Sequence, residues 1–216
     1  VVLYRLVRRF YRPGVAALTV AGVFFAGHLL FYTYVWPLYT HPFSLLLIAL
    51  FVLQWLHIRD GAAASRHRPP GELVLAWAVW GALMGLAIWV RPQLVLYGVL
   101  PAAEFVRAMA AGPAPRRWWM LARAAAFAAA MAVGFLPQML LWWKTTGHWV
   151  IDAYAMIGDD FFWTRPRFLY LLFSPNKGLF VWTPVFLAAV PGAVFFFRRW
   201  RGLAGPLAAV LVLQLY

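Results

Sequence analysis

Apolar positions along this chain come in long blocks rather than in a two- or four-residue rhythm. Stretches such as GVAALTVAGVFFAGHLLFYTYV (14–35) and LVLAWAVWGALMGLAIWV (73–90) run on with no Asp, Glu, Lys or Arg. A bilayer core of about 30 Å is crossed by about 20 such residues at a helical rise of about 1.5 Å each. Fitting that length along the chain predicts spans over 14–35, 42–58, 73–90, 94–109, 118–143 and 183–197, with a seventh beginning at Leu203. The predicted fold is all-α: a polytopic transmembrane helix bundle of six to seven spans, with residues 1–216 as one domain. Local signals agree with the layout. Thr40 or His41 stands as N-cap, with Pro42 at the first helical position, and Arg91-Pro92 ends the third span.

The polar positions supply a topology. Arg5, Arg8, Arg9 and Arg12, then Arg59, Arg66 and Arg68, then Arg107, Arg116, Arg117 and Arg123, and finally Arg198, Arg199 and Arg201 fall on every second connection. That is fourteen of the 19 Lys and Arg; the alternate connections hold only Arg91, Lys144, Arg165, Arg167 and Lys177. The positive-inside rule then puts 1–13, 58–72, 107–123 and 198–202 in the cytoplasm and 36–42, 91–93 and 144–183 outside the cell (inner) membrane. The sixth span is short, because Pro184 to Phe197 reaches only about 20 Å as a helix. Residues 144–183 are therefore expected to form an outer interfacial segment of one or two short helices, part of which dips into the membrane as broken backbone.

Composition sharpens this picture. The chain is 65% hydrophobic and only 12% charged, with a mean hydropathy of +0.76; soluble domains are about half apolar and a quarter charged. No cysteine is present, so disulfide frameworks and thiolate metal sites are excluded. The formal charge of +13 would suit nucleic acid, but the arginines lie in short clusters between apolar runs, and no nucleic-acid partner is expected. Abundant Ala, Arg, Gly and Pro point to a GC-rich bacterial source.

The chemical variety lies on the outer side. Asp159-Asp160 could hold a divalent cation or a sugar hydroxyl, or could be a solvated acidic turn. His148 and Asp152, at i and i+4, would share a helix face, as a metal-ligand pair or as a plain polar face. Arg91 either snorkels to the headgroups or clamps a phosphate. Tyr39 and His41 stand on the outer rim at a helix N-terminus, where they could contact an anion or hydroxyl or simply cap. Lys177, between Asn176 and Gly178 in the dipping segment, calls for an anionic partner. No cofactor is assigned beyond that divalent cation.

Three stretches carry a resemblance. GALMGLAIWVRPQLVLYGVLP (81–101) resembles the third-helix pattern G-x-x-x-G-L-A-x-x-x-R-P of bacterial membrane glycosyltransferases with the GT-C fold. LLFSPNKGLFVWTPVFLAAVPG (171–192) is similar to a segment common in their protein-mannosyltransferase-like and RgtA/B/C/D-like group. YRLVRRFYRPGVAAL (4–18) with YTHPFSLLLIAL (39–50) resembles their early helices. The resemblance implies an inverting transferase that moves a sugar from a polyprenyl-phosphate donor to a glycan, lipid or protein acceptor on the outer side. It implies that Arg91, Lys177 and Arg165 steady the donor phosphate, and that Tyr39, His41, Asn176, Asp159 and Asp160 line the substrate rim. The acidic base it implies would lie before Val1, leaving this stretch catalytically incomplete and the catalytic residue unassigned. The rival readings are a transporter or flippase of lipid-linked substrates and a non-catalytic membrane scaffold. No internal repeat supports the first, and the second has no need of so polar and aromatic an outer segment.

Overall fold

The computed structural model describes residues 1–27, 29–36, 39–63, 70–111, 114–151, 167–176 and 178–215, and these are helical with no strand. In chain order the helices are α1 (Val2–Arg8), α2 (Pro13–Phe25), α3 (Leu29–Tyr34), α4 (His41–Ala63), α5 (Pro70–Val90), α6 (Val99–Ala111), α7 (Ala114–Thr146), α8 (Phe168–Phe173), α9 (Leu179–Trp182), α10 (Ala189–Arg199) and α11 (Arg201–Leu215). Short 3₁₀ segments, Pro92–Gly98 and Pro184–Ala188, precede α6 and α10.

Three helices are long and apolar enough to cross a membrane: His41–Gly61, Gly71–Val90 and Arg117–Thr146. They match three of the predicted spans, and the other predicted spans take a different form. The 14–35 block breaks after Phe25, with Gly27 folded back against the Val23 carbonyl. The 94–109 block opens as 3₁₀ helix behind Pro92, and 183–197 does the same behind Pro184. Proline removes a donor and disfavours helix in the residue before it, and Arg91 is accordingly extended, at φ −151° and ψ 115°. The seventh block lies within α11, which holds Pro206.

The centre is a three-helix layer. Gly81 and Gly85, one turn apart on α5, face α7. A Cβ on Gly81 would come closer than 3.0 Å to the Phe127 carbonyl oxygen, and one on Gly85 equally close to that of Met131. Small residues at this spacing let two backbones touch, which is how apolar helices gain affinity where lipid offers no hydrophobic drive. Because 81 meets 127 and 85 meets 131 and 134, α5 and α7 run parallel. α4 runs antiparallel to α5, with Phe51 on Trp80 (ring centroids 5.1 Å apart) and Gln54 donating to the Ala76 carbonyl at 2.8 Å. Phe51, Trp55, Trp77, Trp80, Met84 and Leu100 form the buried core.

The basic clusters gather at one end. Arg9 pairs with Asp60 at 2.7 Å, and Arg59 pairs with Glu104 at 3.0 Å and donates to the Gly202 carbonyl at 2.9 Å. Phe10 meets the rings of Phe196 and Trp200 edge-on. So α1, the end of α4, α6, the end of α10 and the start of α11 share what we call the Arg59 end. At the other end Arg91 meets His41, and Gln214 of α11 donates to the Gln93 carbonyl at 3.1 Å. α11 thus runs the depth of the bundle, about 22 Å for its 15 residues.

Candidate functional site

The rim at the Arg91 end is built by the antiparallel register of α4 and α5. His41 opens α4, whose first turn is set by Pro42 and by Ser44, which donates both its N–H (2.9 Å) and its hydroxyl (2.8 Å) to the Thr40 carbonyl. Arg91 follows the last residue of α5. The register therefore brings together two residues fifty positions apart, and Arg91 Nη1 lies 2.8 Å from His41 Nδ1. A guanidinium can only donate, so Nδ1 accepts and the ring is the neutral tautomer with its proton on Nε2. Among the described residues no carboxylate pairs with Arg91. None of those residues cancels the Arg91 charge, which lies partly buried beside the positive end of the α4 helix dipole.

Rings surround this pair. Tyr32 of α3 packs on the His41 ring at 4.3 Å between centroids, and Tyr39 stacks on it at 5.6 Å and 10°. Trp36 stacks on Tyr39 at 5.3 Å and 13°. Beside His41 opens a cleft of about 580 Å³, lined on one side by Phe31, Tyr32 and His41 and on the other by Leu171, Gly178, Leu179 and Trp182. The second wall is the α8–α9 hairpin.

That hairpin explains the Ser-Pro-Asn-Lys-Gly interruption of an apolar run. Ser174 is buried, its Oγ accepts the Asn176 N–H at 3.2 Å, and its carbonyl accepts the Gly178 N–H at 2.8 Å. Trp182 Nε1 closes over the turn onto the Pro175 carbonyl at 2.9 Å. Gly178 has an ordinary φ of −65°, but a Cβ there would come closer than 3.0 Å to the Ser174 backbone. The residue is glycine because the chain passes itself at that point. Thr183, at the end of α9, is buried as well.

Of the residues singled out in the sequence, Arg91, His41 and Tyr39 form one cluster, and Asn176 lies exposed at the tip of the hairpin across the cleft. Lys177, Arg165, Asp159, Asp160 and Asp152 lie outside the described residues. His148 corrects an expectation. It follows the end of α7 in non-helical backbone, past Gly147 at φ 75°, so it cannot share a helix face with residue 152 in the way the spacing predicts. Lys144 likewise sits in the last turn of α7 rather than in a connection. Among the described residues no group of three or more His, Asp or Glu is placed to hold a metal ion.

Sequence reasoning passed over Tyr32 and Trp36, which look like ordinary rim aromatics until the stack is seen. It also passed over Glu104, the one acidic residue in the 94–109 block. Glu104 is 5% exposed and accepts from Trp55 Nε1 at 2.9 Å, from Arg59 at 3.0 Å and from Arg107. Compared with protein-family models, curated proteins and solved structures, the chain matches none.

Proposed function

We propose that the chain is part of a multi-pass inner-membrane glycosyltransferase that uses a polyprenyl-phosphate-linked sugar at its outer face. On this reading the bundle crosses the membrane six to seven times, with the broken segments α2–α3 and α10 completing crossings. The Arg59 end, where basic clusters gather, faces the cytoplasm. Arg91 holds the donor phosphate, and the Phe31–Trp182 cleft takes the apolar and sugar parts of the donor.

The observation that carries the reading is the Arg91–His41 pair: a guanidinium held by a neutral acceptor, with no carboxylate partner among the described residues, bonded to the histidine that lines an aromatic cleft. His41 uses one of the five guanidinium N–H groups, and the others suit the oxygens of a phosphate. A glycosyl phosphate leaves with its charge already formed. A fixed cation therefore stabilises the departing group without reorganising, and stabilises it more as the C–O bond lengthens. His41 orients the guanidinium, and Tyr32 and Tyr39, stacked on each other at 5.1 Å, pack together against the imidazole.

The test is donor binding in reconstituted vesicles. Loss of a charge-assisted hydrogen-bond partner is worth about 1.5–3 kcal/mol, so Arg91→Ala should weaken binding of a polyprenyl-phosphate sugar by about 10- to 100-fold, and Arg91→Lys by less. Unchanged donor affinity in Arg91→Ala would remove the phosphate role. Failure of the unaltered chain to bind any polyprenyl-phosphate sugar would remove the transferase reading.

A further inference from the structure

A second crevice, of about 340 Å³, opens between α5, α6 and α7. Its walls are apolar: Trp77 and Met84 from α5, Pro101 and Phe105 from α6, Phe127 and Met131 from α7. On α5 and α7 the lining covers about two turns, and on α6 one turn continued by Val95 and Gly98 of the preceding 3₁₀ segment, so the crevice runs about 10 Å along the bundle axis. It begins near the level of Glu104, at the Arg59 end, and stops short of Arg91. Only hydrocarbon is accommodated there without loss, since a polar group would find no partner.

Charge marks the mouth at the Arg59 end. Arg123 stands one turn before Phe127 on the same face of α7, with Nη1 3.5 Å from Met120 Sδ. Arg117 lies about two turns before Ala124, a further lining residue. It is exposed, and no carboxylate pairs with it among the described residues. α7 contains no Asp or Glu at all. Trp118 and Trp119, 75% and 46% exposed, mark the headgroup level beside these arginines. The demands of the mouth and of the crevice, an anion above and a hydrocarbon chain below, are met by one molecule of the bilayer leaflet.

We infer that this crevice binds a single anionic phospholipid, one acyl chain lying between α5, α6 and α7 and its phosphate against Arg117 and Arg123. The site needs the bundle in a bilayer and stands apart from the transferase reading, because neither Arg91 nor the Phe31–Trp182 cleft takes part in it.

Native mass spectrometry of the purified, delipidated chain tests the site, with titration by phosphatidylglycerol, by phosphatidylcholine of the same chains, and by polyprenyl phosphate. Phosphatidylglycerol should bind more tightly than phosphatidylcholine by about fivefold per arginine, and Arg117→Gln with Arg123→Gln should erase the difference. Ala102→Leu fills the crevice from α6 and Ala124→Leu fills it from α7. Each should weaken both phospholipids while the lipid-free melting midpoint stays put, and the second serves if the first does not fold. Equal binding of the two phospholipids, or indifference to both leucines, would overturn the site. Tighter binding of polyprenyl phosphate, lost with the same leucines, would give the crevice to an isoprenoid tail and overturn it too.

Discussion

Removing the Glu104 carboxylate by Glu104→Ala is expected to lower the melting midpoint by about 6–12 °C, and the size follows from what the side chain leaves behind. Glu104 is 5% exposed and accepts from Trp55 Nε1 at 2.9 Å, Arg59 Nη1 at 3.0 Å and Arg107 Nε at 3.1 Å. Without it a guanidinium 19% exposed and a buried indole N–H lose their acceptor. Breaking a buried ion pair from one side costs about 3–5 kcal/mol, because the orphaned charge stays desolvated. Arg59 retains the Gly202 carbonyl at 2.9 Å and the Trp55 ring at 5.4 Å, which favours the lower figure. Arg107 is half-exposed and adds little. At about 2–4 °C per kcal/mol for a chain of this length, 3 kcal/mol gives the stated shift. Glu104→Gln, which keeps an acceptor for Trp55, should fall between. Glu72→Ala, an exposed acid in the first turn of α5, should cost no more than about 1 kcal/mol and so move the midpoint by no more than about 2–4 °C. The assay is a thermal ramp in detergent, read by size-exclusion recovery. If Glu104→Ala melts with Glu72→Ala, the carboxylate is solvated and the pin at the Arg59 end does not exist.

Gly85→Leu should destabilise by about 3 kcal/mol or more in the same ramp, because its side chain meets α7 backbone that cannot turn aside, whereas Gly71→Ala, open to space, should be neutral or gain about 0.5–1 kcal/mol; equal effects would deny the α5–α7 seam. Gly178→Ala should weaken donor binding without moving the bundle's melting point, since its Cβ displaces the Ser174 turn that forms the cleft wall; unaltered binding would detach the hairpin from the site. The chain has no cysteine, so single substitutions report sidedness: in intact cells an impermeant maleimide should label Trp149→Cys and spare Arg8→Cys, and the reverse pattern would invert the proposed orientation.

The three long helices were legible because each is an uninterrupted apolar block ended by a polar or proline signal, as at Arg91-Pro92. The broken blocks were not, for a reason visible in their letters. Gly27, Pro92 and Pro184 break or tighten the helix, the glycine by backbone freedom and the prolines by a missing donor, without interrupting hydrophobicity, and block length registers only the last. The site divided in the same way. Arg91, His41 and Tyr39 were each visible as rim residues, but their meeting depends on the antiparallel register of two helices joined through residues 64–69. Glu104 needed more still, since its partner Arg59 lies forty-five positions away and an acid in an apolar block carries no signal of what neutralises it. Gly81-x-x-x-Gly85 is plain in the sequence, yet only the parallel placement of α7 says what the glycines are for.

The contrast between the two helix-end arginines is what favours the proposed reading of the rim as a working surface over a second clasp. Arg59 lies in the last turns of α4 and Arg91 just past the end of the neighbouring α5; the first lies over the Trp55 ring and the second bonds the His41 ring. Arg59 is neutralised by Glu104 and is fixed further by the Gly202 carbonyl, which ties α4, α6 and α11 together. Arg91 has an imidazole where Arg59 has a carboxylate. An imidazole acceptor orients a guanidinium almost as well but cancels none of its charge, and the start of α4 adds to the positive potential there. In a setting of low dielectric a whole charge so placed is costly until an anion meets it, which is the ground for the proposed phosphate role. The rigidity needed to aim that charge comes from the opposite end, where the ion pairs hold α4, and from the glycine seam, where α5 is locked on α7. On the proposed reading, a cation with no carboxylate partner among the described residues, set at the end of two pinned helices, would let a small number of contacts position a phosphate.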